Sequence, residues 1–294
     1  MRAKLWTRRD WIQMITGAGG LALLSGCGSK AGDHKIGDAE GSRVHYGTDQ
    51  FQFGDLQLPT KSGPHPVAIV IHGGFWRSQY GLDHIAPMCP ALNDAGWATW
   101  NIEYRRVGNP GGGWPGTFLD VASAADYLRE LATKHNLDLN RVVSLGHSAG
   151  GHLAIWLAAR PKIRAESELY SADPIPLHAA VSLAGVVDLR QGHDQSLGQG
   201  AVKALVGGTP DTDPDRYSAG SPADLLPLRV HQVLIHGTDD RIVPVSMGRA
   251  YCAAATAKGD KAELIELDAT GHFELVSPGA EQGKKVVETV SGLL

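Results

Sequence analysis

The sequence predicts an α/β fold: a mostly parallel central sheet, helices on both faces, and a cap insertion near 190–229. Three observations carry this. Continuous apolar, β-branched runs such as Val67–Ile71 lack polar alternation, as strands buried on both faces do. Segments of helical periodicity separate them. The 37 Gly and 16 Pro are spread along the chain as turn punctuation. At 294 residues, with 43% hydrophobic and 20% charged residues, one large domain fits, and disorder, collagen-like repeats and coiled coil are excluded. The net charge is −4, and no basic cluster interleaves with aromatics, so nucleic acid is not an expected partner.

In chain order, Val44–Leu58 alternates weakly and reads as a hairpin-like pair of edge strands. Val67–Ile71 is a buried strand. A helix over Leu82–Ala95 ends at Gly96, where a left-handed cap suits glycine. Trp97–Tyr104 is a strand. Thr117–His135 is a helix with Leu119, Ala122, Ala125, Leu128 and Leu131 on one face. Arg141–Gly146 is a strand and Ala149–Ala159 a helix stopped by Pro161. Strands follow at Ala179–Ala184, Gln232–Ile235 and Ala262–Leu267, with helices at Ser246–Lys258 and Pro278–Leu294. Arg190–Arg229 breaks the rhythm. It is long and rich in Gly, Asp and Pro, which is how a lid or a partly helical insertion reads.

Residues 146–150, Gly-His-Ser-Ala-Gly, match G-x-S-x-G between a buried strand and a helix. The glycines leave room for a sharp turn, and Ser148 then projects above the sheet at a helix N-terminus. That positive end favours a developing oxyanion. His72-Gly-Gly-Phe-Trp76 follows the first buried strand, and paired glycines let backbone N–H groups turn inward. His72 itself reads as a structural hydrogen-bonder. His236-Gly-Thr-Asp-Asp-Arg-Ile-Val-Pro244 follows another strand and offers two carboxylates, Asp239 and Asp240. Thr270-Gly-His-Phe-Glu274 follows the last strand; its position singles out His272 among 13 histidines. His147 and His152 read as turn and helix-surface residues. Cys89 and Cys252 read as buried free thiols; three cysteines are too few for a disulfide framework. No H-E-x-x-H, zinc-spaced Cys/His set or dinucleotide fingerprint is present, so neither a metal nor a redox cofactor is expected.

Residues 44–294 resemble the α/β-hydrolase superfamily. The loop after the hydrolase acid strand has the form H-G-x-x-D-x-x-V-P, which implies Asp240 as the acid and leaves Asp239 to cap the turn. The order Ser148, Asp240, His272 is the superfamily's order of nucleophile, acid and base. His72-Gly-Gly-Phe-Trp76 resembles an HGGG-type oxyanion loop with Phe75 in place of the third Gly, which implies the N–H groups of Gly74, Phe75 and Ala149 as donors. It also resembles the HGGxW signature of the kynurenine formamidase and carboxylesterase branch. The likeness extends to Asn101–Arg105 and Trp114-Pro115, whose Tyr and Trp would either line an acyl pocket or pack at its rim.

The N-terminus carries a basic region, a short apolar stretch over Met14–Leu24 and small residues before Cys27, the pattern of a signal peptide over 1–26. Thr7-Arg8-Arg9-Asp10-Trp11-Ile12 resembles a twin-arginine export motif, and Leu24-Ser25-Gly26-Cys27 a bacterial lipobox. Acylated Cys27, a flexible tether over 27–42 and a domain over 43–294 would then hold the protein at a bacterial membrane, facing the periplasm or the exterior. The remainder is acidic, so anchoring would rest on the acyl chains.

The expected activity is hydrolysis of small or aryl carboxylic esters through an acyl-enzyme on Ser148. An arylformamidase is the alternative, disfavoured by the export signal. A non-catalytic surface binding protein is the second alternative; such proteins usually lose a triad member. A prolyl-oligopeptidase-type peptidase is disfavoured, because about 250 residues leave no room for its propeller.

Overall fold

A computed structural model describes residues 41–293. The expected signal peptide, Cys27 and nearly all of the expected tether lie outside the described residues. Ser42, its last residue, is already in a strand.

Eight strands form one sheet in the order β1-β2-β4-β3-β5-β6-β7-β8. The expected hairpin is β1 (Ser42–His45) with β2 (Phe53–Gln57), antiparallel at one edge. β2 pairs antiparallel with β4 (Ala98–Ile102), and from β4 across the sheet all pairings are parallel, through β3 (His65–Ile71), β5 (Leu137–His147), β6 (Ala179–Leu183), β7 (His231–Gly237) and β8 (Ala262–Leu267). Every residue of β3 is buried, as its unbroken apolar run requires. Its side chains alternate between two cores. Val67, Ile69 and Ile71 enter one, and Ala68 and Val70 the other.

The second core holds α1 (Met88–Asp94) and α10 (Glu281–Ser291). The first holds α2 (Gly116–Asp126), α3 (Leu128–Lys134), α4 (Ala149–Ala159) and α9 (Val245–Ala257). The insertion between β6 and β7 is helical rather than loose: α5 (Leu189–Asp194), α6 (Ala201–Val206), α7 (Pro214–Gly220) and α8 (Pro222–Leu225). It has apolar content of its own in Leu189, Val202, Leu205 and Tyr217, all buried. That is why a stretch rich in turn residues still orders.

Three expectations need correction. The helix expected over Leu82–Ala95 is a 3₁₀ turn at Leu82–His84 followed by α1. The single helix expected over Thr117–His135 is α2 and α3, joined at Tyr127. On α2, Leu119 is 36% exposed, not buried. Phe118, Val121, Ala122 and Ala125 form the inner stripe at i, i+3, i+4 and i+7. No helix among the described residues is long and apolar enough to cross a membrane.

Candidate active site

All the candidate residues lie just past the C-terminal ends of parallel strands, where loops of open α/β sheets build sites. Ser148 follows β5 and has φ 56° and ψ −119°, a strained turn for a residue with a side chain. Its neighbours explain how the turn is tolerated. A Cβ on Gly146 would stand 2.1 Å from the Gly150 carbonyl oxygen, and one on Gly150 2.1 Å from that of Ile71. Only glycine lets α4 start this close to β3 and β5. The Ser148 N–H donates to the Leu183 carbonyl at 2.8 Å, which ties the turn to β6.

Asp240 and His272 meet. His272 Nδ1 lies 2.6 Å from Asp240 Oδ2. The other carboxylate oxygen, Oδ1, accepts the N–H groups of Ile242 (2.8 Å) and Val243 (3.0 Å). His236 Nε2 stands 3.4 Å from Oδ2 and also donates to the Val243 carbonyl. Burial opposes the Asp240 charge. Hydrogen bonds from His236, His272 and the backbone outweigh it and hold its carboxyl well below the usual range. Asp240 therefore stays ionised, and His272 is left with its proton on Nδ1 and a lone pair on Nε2. No hydrogen bond joins Ser148 Oγ to Nε2 in this structure. Catalytic contacts are often longer before substrate binds.

The capping role expected of Asp239 belongs to Asp240. Asp239 is exposed and contributes its backbone N–H, to the Thr270 carbonyl at 2.9 Å.

The loop after β3 holds Gly74 at φ 107°, Phe75 at 52° and Trp76 at 55°. No backbone hydrogen bond among the described residues uses the N–H of Gly74 or Phe75. Ala149 opens α4, where N–H groups lack intrahelical acceptors. These three donors are thus available to an anion. The loop is clamped by Val107, whose N–H donates to the Trp76 carbonyl and whose carbonyl accepts from Ser78.

His72 is structural, as expected. Its Nε2 meets Glu103 Oε1 at 2.9 Å, and its ring stacks on Tyr104 with centroids 4.3 Å apart. Burial disfavours the Glu103 carboxylate, but His72 and Arg106 beside it lower its pKa overall. The Tyr104 hydroxyl donates to the His72 carbonyl at 2.9 Å and is fully buried. Tyr104 therefore supports the loop from below rather than lining a pocket. Trp114 is half-buried, with its Nε1 on Glu168 Oε1 at 2.9 Å and Arg216 over its ring. The cap reaches the loop directly. Arg77 Nη2 donates to the Gly198 carbonyl, and a Cβ on Gly198 would stand 2.5 Å from the Phe75 ring.

His152 is not a helix-surface residue. Helix α4 is buried on every side, and His152 donates from Nε2 to the Gly220 carbonyl at 2.8 Å. His147 is likewise fully buried and bonded to two partners, one of them His84. His84 carries no motif and escaped the sequence reading; His236 stands in the H-G-x-x-D-x-x-V-P motif, but no role is read for it there. Cys89 and Cys252 are buried free thiols, raised by burial to about 12 and about 11. Among the described residues no group of three or more His, Cys, Asp or Glu is arranged to hold a metal ion.

The BD-FAE family model matches residues 55–253, from β2 through the cap and into α9. The chain belongs to the BD-FAE family. Among curated relatives, this BD-FAE chain is 30% identical over 257 residues to Esterase LipC of Mycobacterium tuberculosis, covering 82% of this chain and 61% of LipC. It is 24% identical over 264 residues to a probable isoprenylcysteine alpha-carbonyl methylesterase of Oryza sativa, covering 85% of this chain and 63% of that protein. The chain spans 55–61% of the length of the three Mycobacterium tuberculosis relatives, LipC, LipM and LipQ. Among solved structures, a truncated carbohydrate esterase from gut microbiota superposes with a TM-score of 0.73 at 22% identity, over 87% of this chain and 98% of that one. Esterase 2 of Thermogutta terrifontis gives 0.70 at 22%, over 86% and 93%. These likenesses establish the α/β-hydrolase fold of the BD-FAE chain.

Proposed function

We propose that this protein hydrolyses carboxylic esters through an acyl-enzyme on Ser148. The observation that carries the reading is the 2.6 Å bond from His272 Nδ1 to an Asp240 locked by two backbone N–H groups, beside a strained Ser148 at a helix start. The names of LipC, an esterase, and LipM, a probable carboxylic ester hydrolase, support it. Ser148 Oγ attacks the acyl carbon as His272 Nε2 takes its proton. The oxyanion forms against the N–H groups of Gly74, Phe75 and Ala149. His272 then protonates the departing alkoxide, and the bond to it breaks. Water, deprotonated by the same nitrogen, releases the acid and restores Ser148. Asp240 keeps the imidazole in the required tautomer.

The export and anchoring proposal rests on residues 1–27: twin-arginine-like residues, an apolar stretch and the lipobox ending at Cys27. A domain from residue 43 would face the outside of the cytoplasmic membrane, with its site turned to small or aryl esters. The second reading, an arylformamidase, is favoured by His72-Gly-Gly-Phe-Trp76 alone.

The test uses the full-length protein in detergent, with p-nitrophenyl esters of short and medium chain beside N-formylkynurenine. Ester turnover and fluorophosphonate labelling are expected, and both vanish in Ser148→Ala. Faster formamide turnover would replace the ester reading by the second one. No turnover and no labelling would leave a binding protein on a hydrolase fold. For the anchor, radiolabelled palmitate should enter the protein in a bacterial host and be lost in Cys27→Ala; equal incorporation by both would remove that proposal.

A further inference from the structure

His147 stands where three parts of the site converge. It precedes Ser148 in the chain. A Cβ on Gly73 would come within 2.7 Å of its carbonyl oxygen and 3.4 Å of its Nδ1, so it backs the oxyanion loop. Its ring lies against that of His272, with centroids 4.5 Å apart. Its Nε2 lies 2.8 Å from the His272 carbonyl oxygen. A carbonyl only accepts, so Nε2 carries the proton. In a neutral imidazole Nδ1 is then the acceptor. Opposite it, at 2.7 Å, is His84 Nε2, which must donate. The proton order is therefore fixed: His84 Nε2–H to His147 Nδ1, and His147 Nε2–H to the His272 carbonyl.

The far end of this chain is also held. His84 closes the 3₁₀ turn Leu82–His84, and the Leu82 N–H donates to Glu103 Oε2 at 3.2 Å. Glu103 is the same carboxylate that holds His72 under the oxyanion loop. Thr270 accepts from the Asp239 N–H, and the His272 ring is held by Asp240. The His147 bond adds a direct hold on the His272 carbonyl itself. Burial keeps His147 neutral by pushing its pKa well below the usual histidine value, and lowers His84 to about 3, so the donor order survives at neutral pH.

We propose that His147, oriented by His84, is a positioning residue for the general base: its Nε2–H fixes the His272 backbone so that the imidazole meets Ser148. The inference rests on the acyl-enzyme reading above and goes beyond it, since His147 acts through His272 and takes no part in the bonds made and broken.

The experiment compares the unaltered full-length protein with His147→Leu, His147→Gln and His84→Leu. Three quantities are read: the rate of Ser148 labelling by a fluorophosphonate, kcat and KM on one p-nitrophenyl ester, and the low-field NMR signal of the His272–Asp240 proton. His147→Leu should lower the labelling rate and kcat by about 10–100-fold, the usual cost of losing a supporting partner. KM should stay near its starting value, and the low-field signal should shift or broaden. Glutamine places an N–H donor near the position of Nε2, so His147→Gln should recover most of the loss. His84→Leu leaves His147 in place without its orienting donor and should show a smaller loss of the same kind, which keeps the proposal testable if His147→Leu does not fold. A folded His147→Leu protein that labels at the unaltered rate overturns the inference. So does a His147→Gln protein as slow as the leucine variant, or an unaffected His84→Leu protein. Absence of labelling in the unaltered protein is a different result: it overturns the acyl-enzyme reading and this inference with it.

Discussion

Asp239 and Asp240 are neighbours with opposite surroundings. Asp240 is 8% exposed, its two oxygens claimed by His272 and the backbone; Asp239 is in solvent. Asp240→Asn keeps the shape but presents an amide where the imidazole needs a carboxylate, so kcat should fall by about 10⁴-fold. Asp239→Asn should stay near the unaltered rate. Steady-state kinetics of the two variants check this; a large loss in Asp239→Asn would reverse the assignment. Most of these residues were legible because local backbone geometry ties them to motifs. A strained serine turn requires its glycines; Asp240 is read from the likeness of its loop to H-G-x-x-D-x-x-V-P, and the cap it forms is expected of Asp239. His84 was not legible. It acts through space on His147 from a turn without any motif. His152 was misread for another reason: one histidine was judged alone, although the following run from Leu153 to Leu157 already described a helix without a wet face.

At the scale of elements, the site depends on how closely α4 approaches β3. Gly150→Ala puts a methyl group 2.1 Å from the Ile71 carbonyl oxygen and 2.5 Å from that of His72, both backbone atoms that cannot swing aside. The helix must move, and overpacking of this kind typically costs about 1–3 kcal/mol or more. A lower melting temperature together with slower Ser148 labelling is expected. Gly279→Ala, with nothing within 4 Å, is the control and should match the unaltered protein. Equal melting temperatures for the two variants would refute the close-approach argument. The strands were readable as elements because apolar runs buried on both faces have no other home. The break at Tyr127 was not, since Thr117–His135 keeps a helical stripe on both sides of it. The helices of the insertion were hidden by their shortness and by the density of Gly, Asp and Pro around them.

For the molecule as a whole, buried histidines set the response to acid. His152 is fully buried and holds its pKa near 4, against 6.5 for an ordinary histidine. His84, near 3, and His147 are lowered too. Between these values and 6.5 the unfolded chain binds protons that the folded chain refuses, so stability falls as pH drops through that window. His152 alone should contribute a loss of roughly 3 kcal/mol between neutral pH and pH 4. Urea midpoints should therefore fall steadily from pH 7 to pH 4. His152→Gln, which keeps a donor but does not titrate, should show a shallower slope. An identical slope in both proteins would remove His152 from the account.

The insertion leaves the sheet after β6 and returns at β7, strands that are direct neighbours. Ser148 comes before it in the chain; Asp240 and His272 come after. The nucleophile, acid and base of the proposed reaction thus all lie outside the insertion. A lineage could exchange residues 190–229 for a segment of another length and leave those three residues on their own strands' loops. Any replacement would have to reproduce two seats: that of Gly198 on Phe75 and Arg77 at the oxyanion loop, and the Ala219 and Gly220 carbonyls on which Trp156 and His152 of α4 depend.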